Sequence, residues 1–215
     1  MDVVQWSVVV PAKRLAVAKT RLRPVTAALP GALVAHSELV LALLADTVEA
    51  ALACPTVDAV LVVTDDPAAE RVVRRLGAAT VADEPDEGLN PALVHGAARL
   101  RGPVAALSSD LPALRPSELA EALAAAGDSL RAFVADAGGR GTTLLTATGA
   151  PLDPRFGPDS AAAHADGGAV PLDGDWPGLR RDVDTEEDLR AAVRLGIGRH
   201  TTLALADLRT ATAQG

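Results

Sequence analysis

The chain has 215 residues, enough for one domain with a sizeable core, and its formal net charge is −8. That charge disfavours a nucleic-acid-binding role, and so does the aromatic content of two Trp, two Phe and no Tyr, which leaves few rings to stack on bases. The sequence has no signal-type apolar run and no stretch of the roughly 20 apolar residues that a membrane helix needs, so we expect a cytoplasmic protein without a membrane partner.

Short Val-rich runs alternate along the chain with longer Ala- and Leu-rich segments whose apolar residues recur at helical spacing. Strands are predicted at residues 6–10, 59–64, 80–82, 104–107, 131–135 and 142–147. Helices are predicted at residues 31–53, 67–76, 90–100, 116–126, 186–195 and 201–212, and residues 149–178 form a loop-rich stretch. The alternation predicts a single Rossmann-like α/β domain over residues 1–215, a three-layer α/β/α arrangement with a mostly parallel sheet.

Five cationic side chains and no acidic one follow the first predicted strand: Lys13, Arg14, Lys19, Arg21 and Arg23. In an open α/β sheet the ligand binds beyond the carboxyl ends of the strands, so this segment faces the expected crevice. Clustered cations at a strand end predict a polyphosphate site, and a solvated surface loop is the alternative. The sequence lacks both GxxxxGK[ST] and GxGxxG, which disfavours a P-loop ATPase and a dinucleotide dehydrogenase.

Carboxylates follow two later elements. Asp110 comes directly after the apolar run 104–107, where one carboxylate together with phosphate oxygens suits Mg²⁺. Asp182 and Asp184 alternate in an extended segment, so both side chains are expected on one face and within reach of one metal ion. Asp184 has a competing interpretation as a helix N-cap, which Thr185 could equally provide in a capping box.

Other polar residues give weaker signals. The loop 157–160 offers backbone N–H groups and a hydroxyl to a small anion, with an ordinary turn before an Ala-rich helix as the alternative. Asn90, near Asp83, is a candidate contact for a guanosine. The single cysteine, Cys54, excludes an internal disulfide and is expected to be buried. The histidines are scattered and are each expected at the surface or in packing: His36, His95, His164 and His200.

Five motifs occur together and in order: Pro-Ala-Lys-Arg-Leu-Ala-Val-Ala-Lys-Thr-Arg-Leu (11–22), Ser-Ser-Asp-Leu-Pro (108–112), Gly-Thr-Thr-Leu-Leu (141–145), Pro-Arg-Phe-Gly-Pro-Asp-Ser-Ala-Ala-Ala-His (154–164) and Asp-Val-Asp-Thr (182–185). They resemble the guanylyltransferase family of coenzyme F-420 biosynthesis. That family comprises archaeal 2-phospho-L-lactate guanylyltransferases and actinobacterial phosphoenolpyruvate guanylyltransferases. The Ala- and Arg-rich composition resembles the actinobacterial branch, and the resemblance extends from about residue 8 to residue 198.

The resemblance implies a nucleotide-diphospho-sugar transferase type of fold and a Mg²⁺-dependent reaction. GTP and phosphoenolpyruvate would give enolpyruvyl-diphospho-5'-guanosine and pyrophosphate, and the product would pass to a downstream transferase. Carried over by position, Asp110 and Asp182 match the Mg²⁺ ligands, with Asp184 as a third candidate. The phosphoenolpyruvate contacts implied are Thr142, Gly157 and Ser160.

The basic segment takes its role from the same resemblance, because it stands where related nucleotidyltransferases have a Gly-rich loop. Lys13, Arg14, Lys19 and Arg21 would surround the nucleotide phosphates, with Lys19 joining Asp110 and Asp182 as catalytic residues. Because a substrate phosphate is already anionic, no general base is needed, in agreement with a sequence that offers no evident Ser-His-Asp or Cys-His set.

Two alternatives stay open from the sequence. Within the same class of enzyme, the acceptor could be 2-phospho-L-lactate or the donor could be another nucleotide. These differ by a double bond or by a base, and no residue decides between them. The chain could also be a non-catalytic nucleotide-binding protein that kept the fold, although the presence of both Asp110 and Asp182 argues against this.

Overall fold

The computed structural model describes residues 4–12, 19–27, 31–84, 86–127 and 129–213. Seven strands of this part of the chain form one sheet: β1 (Trp6–Pro11), β2 (Val57–Val63), β3 (Ala79–Val81), β4 (Val104–Leu107), β5 (Arg131–Ala135), β6 (Thr142–Ala147) and β7 (Val170–Pro171). Their order across the sheet is β3-β2-β1-β4-β6-β5-β7. Strand β6 runs antiparallel to both neighbours and the remaining pairs are parallel, which confirms the prediction of a mostly parallel sheet.

The helices of the described residues are α1 (Arg23–Thr26), α2 (Ala32–Leu52), α3 (Pro67–Leu76), α4 (Leu89–Ala97), α5 (Pro116–Ala126), α6 (Ser160–Asp166), α7 (Pro177–Arg180), α8 (Glu186–Leu195) and α9 (Arg199–Ala213). A single 3₁₀ turn, Thr20–Leu22, precedes α1. The helix predicted at 90–100 ends earlier, at Ala97. The stretch 149–178 holds more regular structure than expected, because α6, β7 and the start of α7 lie within it.

Alternate side chains of the central strand β1 enter two separate cores. Val8 and Val10 of β1 pack with α2, α3 and α5 on one face, whereas Val9 packs with α4 and α6 on the other. Period-2 alternation in an extended chain produces this division, and it makes the three α/β/α layers that were predicted. Cys54 is buried in the first core, as expected. Within the described residues, no helix combines the length and the apolar character needed to cross a membrane.

Helix α4 lies unusually close to the sheet because of Gly96. A Cβ at this position would lie 2.6 Å from Val63 Cγ2 and 2.7 Å from Val9 Cγ2, well inside van der Waals contact. The close approach brings the amino end of α4, where Asn90 stands, against the edge at which the parallel strands end.

The segment after α7 is carried to the same edge by buried polar contacts. Glu118 of α5 accepts hydrogen bonds from the backbone N–H groups of Gly178 (3.2 Å) and Leu179 (2.8 Å), which satisfies the start of α7. Further along, the backbone N–H of Val183 donates to the carbonyl of Asp110 at 3.1 Å, and the Val183 side chain is fully buried. Asp182 and Asp184 therefore flank an anchored residue directly beside the end of β4.

Candidate active site

A cavity of about 710 Å³ opens at the edge where β1, β4 and β5 end and where the reversed strand β6 begins. The reversal of β6 matters, because it brings the first residue of that strand, Thr142, to the same edge as the residues that follow β4. We call Asp110, Asp182, Asp184 and Lys19 the carboxylate wall of this cavity. Thr142, Gly157 and Ser160 form its hydroxyl wall.

In the carboxylate wall, one ammonium group contacts two carboxylates. Lys19 Nζ donates to Asp110 Oδ2 and, at 2.5 Å, to Asp184 Oδ1. The side chain of Asp110 is 8% exposed, whereas that of Asp184 is 51% exposed. Both Asp182 and Asp184 line the cavity, as their alternation around Val183 predicted. The structure thus brings together the three carboxylates that the sequence singled out.

The charges of the carboxylate wall perturb one another strongly. Burial, followed by the negative charges of Asp110 and Asp184, raises the pKa of the Asp182 carboxyl to about 7, while Lys19 opposes the shift. Burial alone would lower the pKa of Lys19, but Asp110 and then Asp184 hold its pKa above the ordinary lysine value. A cluster with this electrostatic imbalance favours additional positive charge.

The sequence left the N-cap of the helix after residue 185 open between Asp184 and Thr185, and the structure gives it to Thr185. Its side chain accepts from the backbone N–H of Asp188 at 3.2 Å, and Asp188 Oδ2 accepts from the Thr185 N–H at 2.9 Å, which completes a capping box at the start of α8. The side chain of Asp184 is therefore not the helix cap, and it lines the cavity.

The hydroxyl wall is held by neutral hydrogen bonds. Thr142 Oγ1 lies 2.9 Å from Nδ1 of the buried His164, whose Nε2 accepts from the backbone N–H of Arg155 at 2.9 Å. Gly157 has φ of 143°, in the region that favours glycine, and its carbonyl accepts from the Ser160 N–H at 3.2 Å. The three predicted acceptor contacts therefore line the same cavity as the carboxylates.

Asn90 is used within the protein. Its Nδ2 donates to the carbonyl of Phe156 at 3.0 Å, and its Oδ1 accepts from the Phe156 N–H at 2.8 Å. The two bonds clamp the loop that leads into Gly157. The Asn90 amide keeps a second N–H hydrogen and a second oxygen lone pair, so its contact with a guanosine stays a prediction.

Sequence reasoning missed Asp136 and Arg140, which both line the cavity. Asp136 accepts from the backbone N–H groups of Arg140 (2.9 Å) and Gly141 (2.8 Å), and so shapes the turn between β5 and β6. Arg140 pairs with Asp159, with Nε 2.9 Å from Oδ1. The signal available in the sequence was the turn-forming run Asp-Ala-Gly-Gly-Arg directly before the Gly-Thr-Thr motif.

The described lining of the cavity is acidic overall. Five carboxylates (Asp110, Asp136, Asp159, Asp182 and Asp184) face three cationic side chains (Lys19, Arg21 and Arg140). The predicted nucleotide contacts Lys13 and Arg14 lie outside the described residues. Within the described part, an anionic ligand would meet a repulsive surface unless cations came with it.

A second group of possible metal ligands consists of Asp46, Glu49 and His200. Asp46 already accepts from the backbone N–H groups of His200 (2.9 Å) and Thr201 (2.8 Å), and Glu49 pairs with Arg199 through two bonds. These contacts satisfy the first N–H groups of α9 and fasten it to α2, which gives the group a structural role.

Comparison with known proteins places this fold and cavity among the NTP transferases. The model of the MobA-like NTP transferase domain matches residues 32–172. A nucleotide-diphospho-sugar transferase structure from Desulfovibrio desulfuricans G20 superposes with a TM-score of 0.68 at 16% identity, covering 98% of each chain. The 4-diphosphocytidyl-2C-methyl-D-erythritol synthase of Anaerococcus prevotii gives 0.56 at 10% identity over 89% of this chain and 96% of that one. At these identities the likeness shows the fold, and it confirms the predicted fold type.

Sequence relatives narrow the class. A protein of Geodermatophilus obscurus named phosphoenolpyruvate guanylyltransferase is 66% identical, covering 93% of this chain and 94% of its own. Proteins of the same name from Salinispora arenicola and Mycolicibacterium smegmatis are 57% and 48% identical, with at least 91% of each chain covered. The chain belongs to the MobA-like NTP transferases and, within them, to the phosphoenolpyruvate guanylyltransferase family.

Proposed function

We propose that this protein transfers GMP from GTP to phosphoenolpyruvate, giving enolpyruvyl-diphospho-5'-guanosine and pyrophosphate. One observation carries the proposal: in a chain of this family, a single cavity is lined both by carboxylates with Lys19 and by hydroxyl and backbone groups. A donor nucleotide with its metal and a small anionic acceptor need two such surfaces within one cavity.

In the proposed step, an oxygen of the acceptor phosphate attacks the α-phosphorus of GTP. A new P–O bond joins the two phosphates, the bond between the α-phosphorus and its bridging oxygen breaks, and pyrophosphate leaves with that electron pair. The attacking oxygen is already anionic near neutral pH, so the protein needs no general base. Catalysis therefore depends on positioning and on neutralising the charge of the combined phosphates.

The donor set fits a divalent cation. Asp110, Asp182 and Asp184 supply hard oxygen ligands of the kind that Mg²⁺ takes together with substrate phosphates. The pKa of Asp182 is raised first by burial and then by the negative charges of Asp110 and Asp184, which a cation would offset. When bound, Mg²⁺ would neutralise phosphate charge. Lys19, now paired with Asp110 and Asp184, would be freed by a competing cation to contact phosphate oxygens.

The remaining roles follow the two walls. Lys13, Arg14, Lys19 and Arg21 would bind the nucleotide phosphates as charged donors. Thr142 and Ser160 would donate hydroxyl hydrogens to the acceptor, and Gly157 would let the backbone approach it closely. The positive φ of Gly157 makes any larger residue there unfavourable.

Substrate choice is tested directly by incubation with Mg²⁺ and each pairing of a nucleoside triphosphate with phosphoenolpyruvate or 2-phospho-L-lactate. Pyrophosphate release and product mass are followed. We expect the highest kcat/KM with GTP and phosphoenolpyruvate. Turnover only with 2-phospho-L-lactate would reassign the acceptor, and nucleotide binding without turnover under any pairing would make the chain a binding protein.

The metal assignment is tested with Asp182→Asn and with Asp207→Asn, a matched change at an exposed carboxylate on α9. We expect Asp182→Asn to weaken Mg²⁺ binding measured by calorimetry in the presence of GTP and to lower turnover by roughly 100–1000-fold. Asp207→Asn should match the wild type in both measurements. Unaltered Mg²⁺ binding by Asp182→Asn would remove this residue from the metal site.

We also propose that the reaction belongs to coenzyme F-420 biosynthesis in the cytoplasm, with the diphosphate product passed to a downstream transferase. The motif resemblance supports this placement. Deleting the gene in its host and measuring coenzyme F-420 fluorescence tests it, since an unchanged coenzyme level would contradict the proposal.

A further inference from the structure

His164 lies behind the hydroxyl wall and is 2% exposed. Its ring stands between Phe133, at a centroid distance of 5.9 Å, and Phe156, at 5.1 Å and nearly edge-on. Both ring nitrogens have protein partners: Thr142 Oγ1 at Nδ1 and the Arg155 backbone nitrogen at Nε2. A buried histidine with this environment is locked in orientation.

The partners determine which nitrogen carries the proton. A backbone N–H can only donate, so Nε2 must offer its lone pair to Arg155. Burial, followed by the positive charge of Arg155, lowers the pKa of His164 to about 4, while Asp153 and a hydrogen bond with the Ser160 backbone oppose the shift. The ring is therefore neutral at neutral pH. A neutral imidazole has one N–H group, which is then at Nδ1 and donates to Thr142 Oγ1 at 2.9 Å.

The direction of this bond decides what Thr142 can do. A hydroxyl has a single hydrogen, and because Thr142 Oγ1 accepts from His164, that hydrogen stays available for another acceptor. Among the described residues Thr142 makes no other side-chain hydrogen bond, and its side chain lines the cavity. The reverse tautomer would consume the hydroxyl hydrogen and present an oxygen lone pair, which repels an anion.

We propose that His164 is a positioning residue that fixes the Thr142 hydroxyl as a hydrogen-bond donor toward an anionic oxygen of the acceptor. The same ring ties the Arg155 backbone, and so the loop that leads to Gly157, to the back of the hydroxyl wall. The inference rests on the proposed function, because it assigns Thr142 to the acceptor rather than to the nucleotide.

Two amide substitutions at residue 164 each keep one of the two hydrogen bonds made by the His164 ring. His164→Asn places an amide N–H near the position of Nδ1 and keeps a donor to Thr142. His164→Gln reaches the position of Nε2 with an amide oxygen and keeps an acceptor for Arg155. We expect Thr142→Val to raise the KM for phosphoenolpyruvate by about 10–100-fold, since a hydrogen bond to a charged group is lost. We expect His164→Gln to raise the same KM, since the Thr142 hydroxyl is then no longer fixed as a donor. The KM for GTP should change less than about threefold, and His164→Asn should restore most of the acceptor affinity.

A double variant tests whether His164 acts through Thr142. Thr142→Val with His164→Gln should be no worse than Thr142→Val alone, because the second change removes a bond to a hydroxyl that is already gone. Independent, multiplicative losses in phosphoenolpyruvate affinity would overturn the proposal, and so would an unchanged acceptor KM in His164→Gln.

The tautomer itself can be read without catalysis or substitution. Nitrogen-15 NMR of the wild-type protein at pH 7.5 should show His164 protonated at Nδ1 and unprotonated at Nε2, and the opposite assignment would overturn the proposal even if every variant failed to fold. Failure of the proposed function is distinguishable: the wild type would then release no pyrophosphate from GTP and phosphoenolpyruvate, whatever its tautomer. In that case the same variants would be compared by calorimetric binding of phosphoenolpyruvate alone.

Discussion

The two walls of the cavity are stabilised in opposite ways. The carboxylate wall gathers Asp110, Asp182 and Asp184 around the single ammonium of Lys19, and burial together with like charge raises the pKa of Asp182. The hydroxyl wall is held from behind by neutral hydrogen bonds, in which His164 joins Thr142 to the Arg155 backbone. The carboxylate wall has more negative than positive charge and should bind a cation. The hydrogen bonds of the hydroxyl wall are formed without a ligand.

We therefore expect the carboxylate wall to bind its ligand through charge and the hydroxyl wall to bind its ligand through geometry. A wall of like charges gains most of its ligand affinity from the cation it attracts, so its properties should depend on metal and pH. A wall of paired neutral groups should act by geometry, so its loss should affect one substrate and the local stability of the loop. The predictions below test this contrast from its largest consequence to its smallest.

The largest effect is expected for Asp110→Asn. We expect kcat/KM for the guanylyl transfer to fall by roughly 100–1000-fold, because a preorganised charge in the carboxylate wall is lost. The melting temperature of the metal-free protein should change little, since the lost pairing with Lys19 is offset by weaker repulsion on Asp182. Steady-state kinetics with circular dichroism melting checks both. Full activity, or collapse of the fold, would contradict a purely electrostatic role.

Local sequence pattern alone indicated the carboxylate wall, whereas Thr142 of the hydroxyl wall was named only from the family resemblance. Asp110 and Asp182 each follow a recognisable strand or precede a helix cap, so local pattern and the rule for strand ends sufficed to bring them together. The strands and most helices were predictable for the same reason, because period-2 and period-3.6 patterns are local.

His164 and Asn90 could not be assigned from the sequence. His164 meets Thr142 across 22 residues and Asn90 meets Phe156 across 66, and nothing in one sequence reports contacts at that separation. The reversal of β6, which brings Thr142 to the site, is likewise a property of topology rather than of local composition.

The next effect concerns acid stability and the hydroxyl wall. The pKa of His164 is lowered from 6.5 to about 4 on folding, so the unfolded chain binds this proton more readily. Its contribution to stability is fully present above pH 6.5 and is lost as the pH falls toward 4, and the total is about 3 kcal/mol. Urea unfolding of the wild type and of His164→Gln at pH 7.5 and 4.5 should show the difference in unfolding free energy shrinking at acid pH. Carboxylates elsewhere titrate in both proteins, so their effect cancels in the difference between the two unfolding free energies. If that difference did not change with pH, the lowered pKa of His164 would be contradicted.

A smaller loss is expected from opening the Asn90 clamp. Asn90→Ala leaves the N–H and carbonyl of Phe156 without their partners, which should cost about 1–3 kcal/mol of unfolding free energy. Because the loop carries Gly157, the KM for phosphoenolpyruvate should rise while the KM for GTP changes little. Glu87→Ala, at an exposed position just before α4, is the matched control. If the KM for GTP rose instead, Asn90 would belong to the nucleotide site that the sequence first indicated.

The smallest effect tests what holds Asp184 in the carboxylate wall. Two structural features lie on either side of Asp184 in the chain. One is the capping box of Thr185 and Asp188, and the other is the buried Val183, whose backbone N–H donates to the backbone carbonyl of Asp110. Thr185→Ala removes the cap and should cost about 1 kcal/mol, whereas Thr185→Ser keeps the hydroxyl and should match the wild type. If Val183 sets the position of the carboxylates, as its complete burial indicates, Mg²⁺ affinity in Thr185→Ala will stay within about threefold of the wild type. A larger loss of Mg²⁺ affinity in Thr185→Ala, with no loss in Thr185→Ser, would mean that the helix cap positions Asp184. The carboxylate wall would then depend on neutral hydrogen bonds, as the hydroxyl wall does.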